Sequence, residues 1–141
     1  MNFQPRNLVL AGLALWIGLF VFLPVTHANC QAPEISLDTT RGERGTTLTV
    51  TGQAFASACN DVGGWGRLNP QQPAKKIKIF LKQGKKSTLL ATVDKADSNL
   101  RFSVVVTIPA GTTPGKATLT AEAHSETTKP VVFEIIESAR Q

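Results

Sequence analysis

Few side chains in this sequence have types and spacings that could do chemistry. The chain of 141 residues has two cysteines, two histidines and no tyrosine. His124 stands beside Ser125 and Glu126, but adjacent residues on a strand or turn point apart and do not form a catalytic triad. The motifs G-x-S-x-G and H-E-x-x-H and the phosphate-binding glycine loop are absent from the sequence. The sequence therefore predicts a protein that is not an enzyme and that holds no metal or cofactor.

The two cysteines, Cys30 and Cys59, stand 29 positions apart. This is not the C-x-x-C spacing of a redox site, and two cysteines cannot complete a four-cysteine zinc site. In an exported protein an even pair predicts a disulfide, which here would tie the N-terminal tail to a long loop. A redox or metal-binding pair is the alternative.

A long loop between Ala56 and Ala74 contains candidates for ligand binding. Trp65 lies among three glycines, and a tryptophan presented in this way can offer a flat face to a sugar or an aromatic ring. Alternatively, the Trp65 side chain packs against the end of the domain, because burial of so large an apolar surface is favourable. The candidate ligand residues of this loop are Asn60, Asp61, Trp65 and Arg67.

Acidic and imidazole side chains elsewhere extend this candidate ligand site. Asp94, Asp97 and Asn99 offer oxygen atoms of the kind that Ca²⁺ prefers, but their spacing does not match an EF-hand. Aspartate and asparagine also belong in turns for backbone reasons. We therefore predict no metal site here. Asp94, Asp97 and His124 are further candidate ligand contacts, in addition to the four residues of the loop.

A third group of candidate residues is basic. Lys76, Lys78 and Lys82 alternate along one predicted strand and so share its outward face. Clustered cations attract anionic polymers in a salt-dependent manner, but outward lysines also keep strand edges from pairing with other molecules. Nucleic acid is not expected, because the chain is predicted to be exported and aromatic residues are nearly absent here. The complete candidate patch consists of Lys75, Lys76, Lys78, Lys82, Lys85 and Lys86.

The first 28 residues have the layout of a secretory signal peptide. Arg6 precedes an uncharged apolar run of about 16 residues, and the triplet Thr-His-Ala at 26–28 is of the small-x-small kind that a signal peptidase accepts. We expect a signal helix in residues 1–28 and one domain over residues 29–141. An uncleaved segment, which would be the chain's sole contact with a membrane, is the alternative, because this run is at the lower limit for crossing a bilayer. The expected location is secreted, extracellular or cell-surface, or the periplasm if the host has an outer membrane.

The rest of the chain alternates apolar and polar residues with the period of two that marks half-buried β-strands. Threonine is abundant, and no stretch of useful length has a helical period. Seven such runs separated by turn sequences predict an all-β sandwich of about seven antiparallel strands. The runs are Ile35–Leu37, Leu48–Val50, Ile77–Leu81, Leu89–Val93, Phe102–Ile108, Ala117–Ala123 and Val131–Ile135.

Three segments carry a likeness to a known family. Gly45–Phe55 reads GTTLTVTGQAF, and Phe102–Gly111 with Pro114–Thr120 reads as a strand, a turn with Pro and Gly, and a second strand. Together they resemble immunoglobulin-like domains of the IPT/TIG kind, over Glu34–Glu137. The resemblance implies an immunoglobulin-like sandwich of a kind that occurs as surface, adhesion or accessory modules of secreted bacterial proteins and also in some transcription factors. The chain departs from the family in its long segment at 56–74, and it lacks the antibody-type Cys-Trp-Cys framework and tyrosine corner.

Strands that alternate up and down sort their loops to two ends of the domain. One end gathers the two cysteines, the loop residues, Asp94, Asp97, His124 and Glu126, and the other gathers Arg41, Arg44, Lys85, Lys86 and Lys116. We therefore expect a secreted, non-catalytic binding or adhesion module whose partner is a protein, a cell-surface glycan or an anionic polymer. The alternatives are a purely structural or protein-interaction domain, and an electrostatic binder of anionic surface polymers through the lysines.

Overall fold

The computed structural model describes residues 31–57, 71–124 and 126–138. These residues form nine β-strands and no helix, so they include no helix long and apolar enough to cross a membrane. The prediction of an all-β chain is confirmed, whereas the predicted signal helix at 1–28 lies outside the described residues. The strands are β1 (Glu34–Leu37), β2 (Arg41–Gly42), β3 (Thr47–Gln53), β4 (Lys75–Gln83), β5 (Lys86–Lys95), β6 (Phe102–Thr107), β7 (Gly115–Ala123), β8 (Glu126–Thr127) and β9 (Val131–Ile135).

The strands form two sheets. Sheet A has the order β1-β3-β6 and is antiparallel throughout. Sheet B has the order β2-β9-β7-β4-β5, and the short β8 also pairs with β7. All pairs of sheet B are antiparallel except β2 with β9, which is parallel. Because β1 belongs to sheet A and β2 to sheet B, the chain changes sheets within residues 38–40.

A single apolar cluster collects the inward side chains of both sheets. In β3, Leu48 and Val50 are buried while the threonines beside them are exposed or half-buried. In β7, Leu119 is buried with the three alanines that share its face. This alternation follows from the two-residue repeat of a strand, and removal of the apolar face from water is the main favourable term in folding. The largest fully buried side chains are Phe55, Phe133, Leu48, Ile77, Ile79, Leu81, Ile108, Leu119, Ile135 and Val50.

Two phenylalanines lie in the core where β3 ends and β6 begins. The rings of Phe55 and Phe102 pack edge to face, with centroids 4.9 Å apart and planes inclined by 72°. The Phe102 ring occupies the space that a Cβ atom at position 52 would need. Gly52 therefore permits the close approach of β3 to this ring.

Backbone hydrogen bonds tie several loops together at the same end of the molecule. Phe55 N–H donates to Leu100 C=O at 2.9 Å, and Ala74 N–H donates to Phe55 C=O at 2.9 Å. Ala96 N–H in turn donates to Ala74 C=O at 2.9 Å. We call this the lower end, defined by residues 54–57, 71–74 and 96–101.

Two short strands were not predicted from the sequence. Arg41 and Gly42, predicted to lie in a turn, form β2 against β9, where Glu134 N–H donates to Thr40 C=O at 2.8 Å. Glu126 and Thr127 form β8 in a stretch predicted to be a loop. Each strand has two residues, which is too short for an alternating pattern to be recognised.

Candidate functional site

The β4–β5 hairpin, residues 75–95, is the most basic part of the molecule, and we call it the lysine hairpin. It has seven lysines and one acidic residue, Asp94, which gives a formal charge of +6. The whole chain has a formal charge of +5, so the remaining residues together have a charge of −1. The seven lysines are all exposed except the half-buried Lys82, and they are Lys75, Lys76, Lys78, Lys82, Lys85, Lys86 and Lys95.

The local sequence explains why this segment forms a hairpin that directs lysines outward. Ile77, Ile79 and Leu81 of β4 are buried, so the alternate positions face solvent. The turn places Gly84 at a φ of 58°, as the first loop position of a type II′ hairpin requires. Lys78, in the middle of the strand, is exposed.

Two of the hairpin lysines are paired with carboxylates. Lys76 Nζ lies 2.9 Å from Asp94 Oδ1, and Lys82 Nζ lies 3.7 Å from Glu122 Oε1. The hydrogen bond and, after it, the charge attraction raise the pKa of Lys76 and lower the pKa of Asp94. Within the described residues, Lys78, Lys85 and Lys86 form no ion pair. Lys75 and Lys95 form none there either, so five of the seven hairpin lysines have a charge that no neighbouring carboxylate in the described residues offsets.

Apolar surface accompanies the lysines on the outer face of sheet B. Phe80 is half-buried and lies between Lys78 and Lys82 along β4. The register places Leu89 of β5 opposite Phe80, and Leu89 is 51% exposed. This face can therefore offer both cations and an apolar contact to one partner.

The candidate acidic residues have structural partners. Asp97 Oδ1 accepts hydrogen bonds from the backbone N–H groups of Asn99 and Arg101, both at 2.8 Å, which fixes a turn at the lower end. Asp94 is bound to Lys76, as described above. In residues 31–57, 71–124 and 126–138, no three His, Cys, Asp or Glu side chains are placed to hold a metal ion.

The strand directions bring His124 towards the same end as Asp94 and Asp97. β7 runs antiparallel to β4, so His124, which follows β7, lies where β4 begins. His124 is exposed and has a φ of 54°. In the part of the chain that the structure describes, no hydrogen bond joins any two of these three residues.

The other candidate residues lie outside the described residues, and they are Cys30, Cys59, Asn60, Asp61, Trp65 and Arg67. The predicted disulfide and the ligand loop therefore stay predictions. The structure does describe the two segments that lead into and out of residues 58–70. Ala56 and Pro73 form a β-bridge, and Ser57 N–H donates to Gln72 C=O at 2.7 Å. Both segments belong to the lower end.

The outer face of sheet A differs from the lysine hairpin in composition. Along β3 it presents Thr47, Thr49 and Thr51, and β6 places opposite them Thr107, Val105 and Ser103. None of these six residues is charged, and Val105 is 65% exposed.

Sequence reasoning missed a groove on sheet A near the lower end. Its volume is about 250 Å³, and its walls come from β1, from the end of β3 and from Arg101. Gln53 Nε2 donates to Glu34 Oε2 at 3.3 Å, which links β3 to β1 along one wall of the groove. No sequence signal identifies this groove, because three segments far apart in the chain contribute to it.

Comparisons with known proteins add no functional argument. No family model and no curated protein matches the chain. Among solved structures it is similar to the Pseudomonas fluorescens alkylpurine DNA glycosylase AlkC bound to DNA containing an abasic site analog, with 16% identity and a TM-score of 0.43 over 79% of this chain and 32% of that one. It is also similar to the Bacillus subtilis sporulation control protein Spo0M, with 12% identity and a TM-score of 0.38 over 74% of this chain and 49% of that one. The chain thus spans less than half the length of either protein.

Proposed function

We propose that this chain is an exported, non-catalytic binding module with an immunoglobulin-like sandwich fold, and that its lysine hairpin binds an anionic polymer of the cell surface. The observation that carries the proposal is the separation of charge. A hairpin with a formal charge of +6 lies in a chain whose remaining residues sum to −1. A local excess of one sign raises the local concentration of oppositely charged partners.

The strand order supports the immunoglobulin-like part of the proposal. β1, β3 and β6 correspond to strands A, B and E of that fold, and β4, β7 and β9 correspond to strands C, F and G. β5 then takes the position of the additional strand C′ beside C. The signal-peptide layout of residues 1–28 supports export.

The side-chain contacts indicate how the hairpin would bind a polymer. The five unpaired lysines of the hairpin would contribute most, because Lys76 and Lys82 already have carboxylate partners, and Lys78, Lys85 and Lys86 are three of these five. Each exposed ion pair with the polymer is weak, so several are needed at once, and salt weakens all of them together. Phe80 and Leu89 would add an apolar contact to the polymer backbone.

The test uses immobilised heparin, a sulfated polysaccharide, and two charge-matched triple variants. We expect the wild-type chain to be retained at low salt and released at high salt. The variant Lys78→Glu/Lys85→Glu/Lys86→Glu loses most of this retention. The control variant Arg44→Glu/Arg101→Glu/Lys129→Glu changes the net charge equally at three exposed residues outside the hairpin, and it keeps most of the retention.

Two results would contradict the proposal. Equal loss of retention in both triple variants would mean that net charge alone determines binding, without a site. A wild-type chain that passes through the column at low salt would remove polymer binding altogether, and would favour a structural or protein-interaction role.

A further inference from the structure

The groove on sheet A runs across the strands and has opposite charges at its two ends. Glu34 of β1 lies opposite Gln53 of β3. The register pairs Gly52 with Phe102, so Arg101, just before β6, lies beside Gln53 on its other side. Glu34, Gln53 and Arg101 thus form one row along the groove. Adjacent strands are about 4.8 Å apart, so the backbone positions of Glu34 and Arg101 are about 10 Å apart.

A second row of shorter polar side chains forms the opposite wall of the groove. Ser36 lies opposite Thr51, two positions along each strand from the first row. Residues two apart on a strand point to the same face and lie about 6.8 Å apart. Ile35 and Gly52 lie between the rows and are buried, so their backbone forms the floor. Hydroxyl groups therefore line one wall, and a carboxylate, an amide and a guanidinium group line the other.

The two charges at the ends of the groove are not used elsewhere in the described residues. Neither Glu34 nor Arg101 forms an ion pair there, with each other or with a third residue. Gln53 Nε2 donates to Glu34 Oε2 at 3.3 Å, which orients this carboxylate. The nearby Asp97 carboxylate accepts its hydrogen bond from the backbone N–H of Arg101 and leaves the guanidinium group available. One small ligand can therefore contact both charges without breaking an ion pair.

We propose that this groove binds a small zwitterion, a molecule with one carboxylate and one ammonium group, of which a free amino acid is the simplest kind. The ligand carboxylate accepts hydrogen bonds from the guanidinium fork of Arg101, whose geometry suits a carboxylate. The ligand ammonium group donates to Glu34. The groove volume of about 250 Å³ is below the range of about 300–1,000 Å³ that is typical for drug-sized ligands, and it fits a ligand of this small size.

The arrangement of charge favours a zwitterion over a ligand with a single charge. A simple anion at Arg101 also meets the Glu34 carboxylate in the same groove, and a simple cation at Glu34 meets the guanidinium group. Unfavourable charges of this kind select against the wrong partner. The groove contains no residue of the lysine hairpin, so the proposal is independent of polymer binding.

Nuclear magnetic resonance titrations of the chain, processed as its host leaves it, test the proposal. The probes are glycine, β-alanine and 4-aminobutyrate, which separate the two charges by increasing lengths, with butyrate and butylammonium as singly charged controls. We expect at least one zwitterion to shift the backbone amide signals of residues 34–36 and 51–53, with a Kd of about 1–10 mM because exposed ion pairs are weak. Both controls should bind about two- to fivefold more weakly, which is the contribution of one exposed ion pair.

Two variants separate the two charges. In Arg101→Gln the zwitterion should bind no better than butylammonium, and in Glu34→Gln it should bind no better than butyrate. Arg44→Gln and Glu126→Gln make the same substitutions at exposed residues outside the groove, and they should bind as the wild type does. The proposal would be overturned if no zwitterion shifts these signals, if the singly charged probes bind equally well, or if the control variants lose as much binding.

Discussion

The two sheets of this molecule cover the same core, and yet their outer faces differ in charge and side-chain type. On sheet A, the outward positions of β3 and β6 are threonine, serine and valine. On sheet B, β4 presents lysines, and the carboxylates of Asp94, Glu122 and Glu134 each pair with a cation. Inward positions of both sheets are apolar, because the common core requires it. The outward positions are free of that requirement, so the two outer faces can differ in sequence and can acquire different binding properties.

The largest expected effect tests how sheet A is held in place. Gly52→Ala would bring a Cβ atom into the Phe102 ring, which is buried and packs against Phe55. We expect a loss of up to about 3 kcal/mol in the free energy of unfolding, measured by urea denaturation. Gly111→Ala is the control, since a Cβ there meets no atom within 4 Å. Equal stability of the two variants would show that the ring does not depend on this glycine.

The next effect compares hydroxyl groups on the two sheets through one substitution, threonine to valine. Thr128 Oγ1 accepts a buried hydrogen bond from Ala121 N–H at 3.0 Å, so Thr128→Val should cost about 1–2 kcal/mol. Thr120 Oγ1 is buried, and the described residues offer it no hydrogen-bond partner, so Thr120→Val should stabilise by about 1 kcal/mol. Thr51→Val, at an exposed position of sheet A, should change stability by less than about 0.5 kcal/mol.

Thermal unfolding of the three variants measures these differences. The decisive result is that the change in stability has opposite signs for Thr128→Val and Thr120→Val. Thr120 lies in β7, and Thr128 directly follows β8. A destabilised Thr120→Val would mean that the Thr120 hydroxyl has a hydrogen-bond partner after all. A large effect at Thr51 would mean that the hydroxyl face of sheet A supports the fold as well as the surface.

The smallest effect concerns the Lys76–Asp94 pair on the lysine hairpin. The pKa of Asp94 is lowered from 3.8, so its contribution to stability is present above that pH and is lost as the pH falls through the folded pKa. The pKa of Lys76 is raised from 10.5, so its contribution is present below that pH and is lost as the pH rises through the folded pKa. Both side chains are largely exposed, and the effect is therefore small.

Melting temperatures of Asp94→Asn and the wild type should differ slightly at about pH 7 and coincide at about pH 2. Glu126→Gln, which alters an exposed carboxylate that forms no ion pair in the described residues, serves as the control and should match the wild type at both values. A difference for Asp94→Asn that persists in acid would assign the effect to something other than the ion pair.

The strands of this fold could be predicted from the sequence, because apolar and polar residues alternate along them. Each of the seven predicted runs, for example Ile77–Leu81, lies in or overlaps an observed strand. The pairing of strands could not be predicted, because Arg41–Gly42 joins β9 through backbone groups that no side-chain pattern reports. The outward lysines of β4 were predicted, but the partners of Lys76 and Lys82 were not, since they depend on which strands become neighbours.

For the candidate site, the sequence predicted which residue types are present better than it predicted their neighbours and burial. Asp97 was recognised as a residue suited to a turn, and its carboxylate does hold one. Thr120 gave no signal of burial, because it stands at an outward position of β7 among residues that are otherwise exposed or half-buried. Phe80 lies opposite Thr120 on the same face, and this neighbour is determined by the register of β4 with β7.

The pairing of the two segments that flank residues 58–70 has a practical consequence for protein engineering. Because Ser57 and Gln72 are hydrogen-bonded, a segment inserted between them begins and ends at nearly the same point. The entropic cost of lengthening such a segment is low, about 0.6 kcal/mol for each doubling of its length. We therefore expect this position to accept inserted peptides, as a display scaffold does, while both sheets are retained.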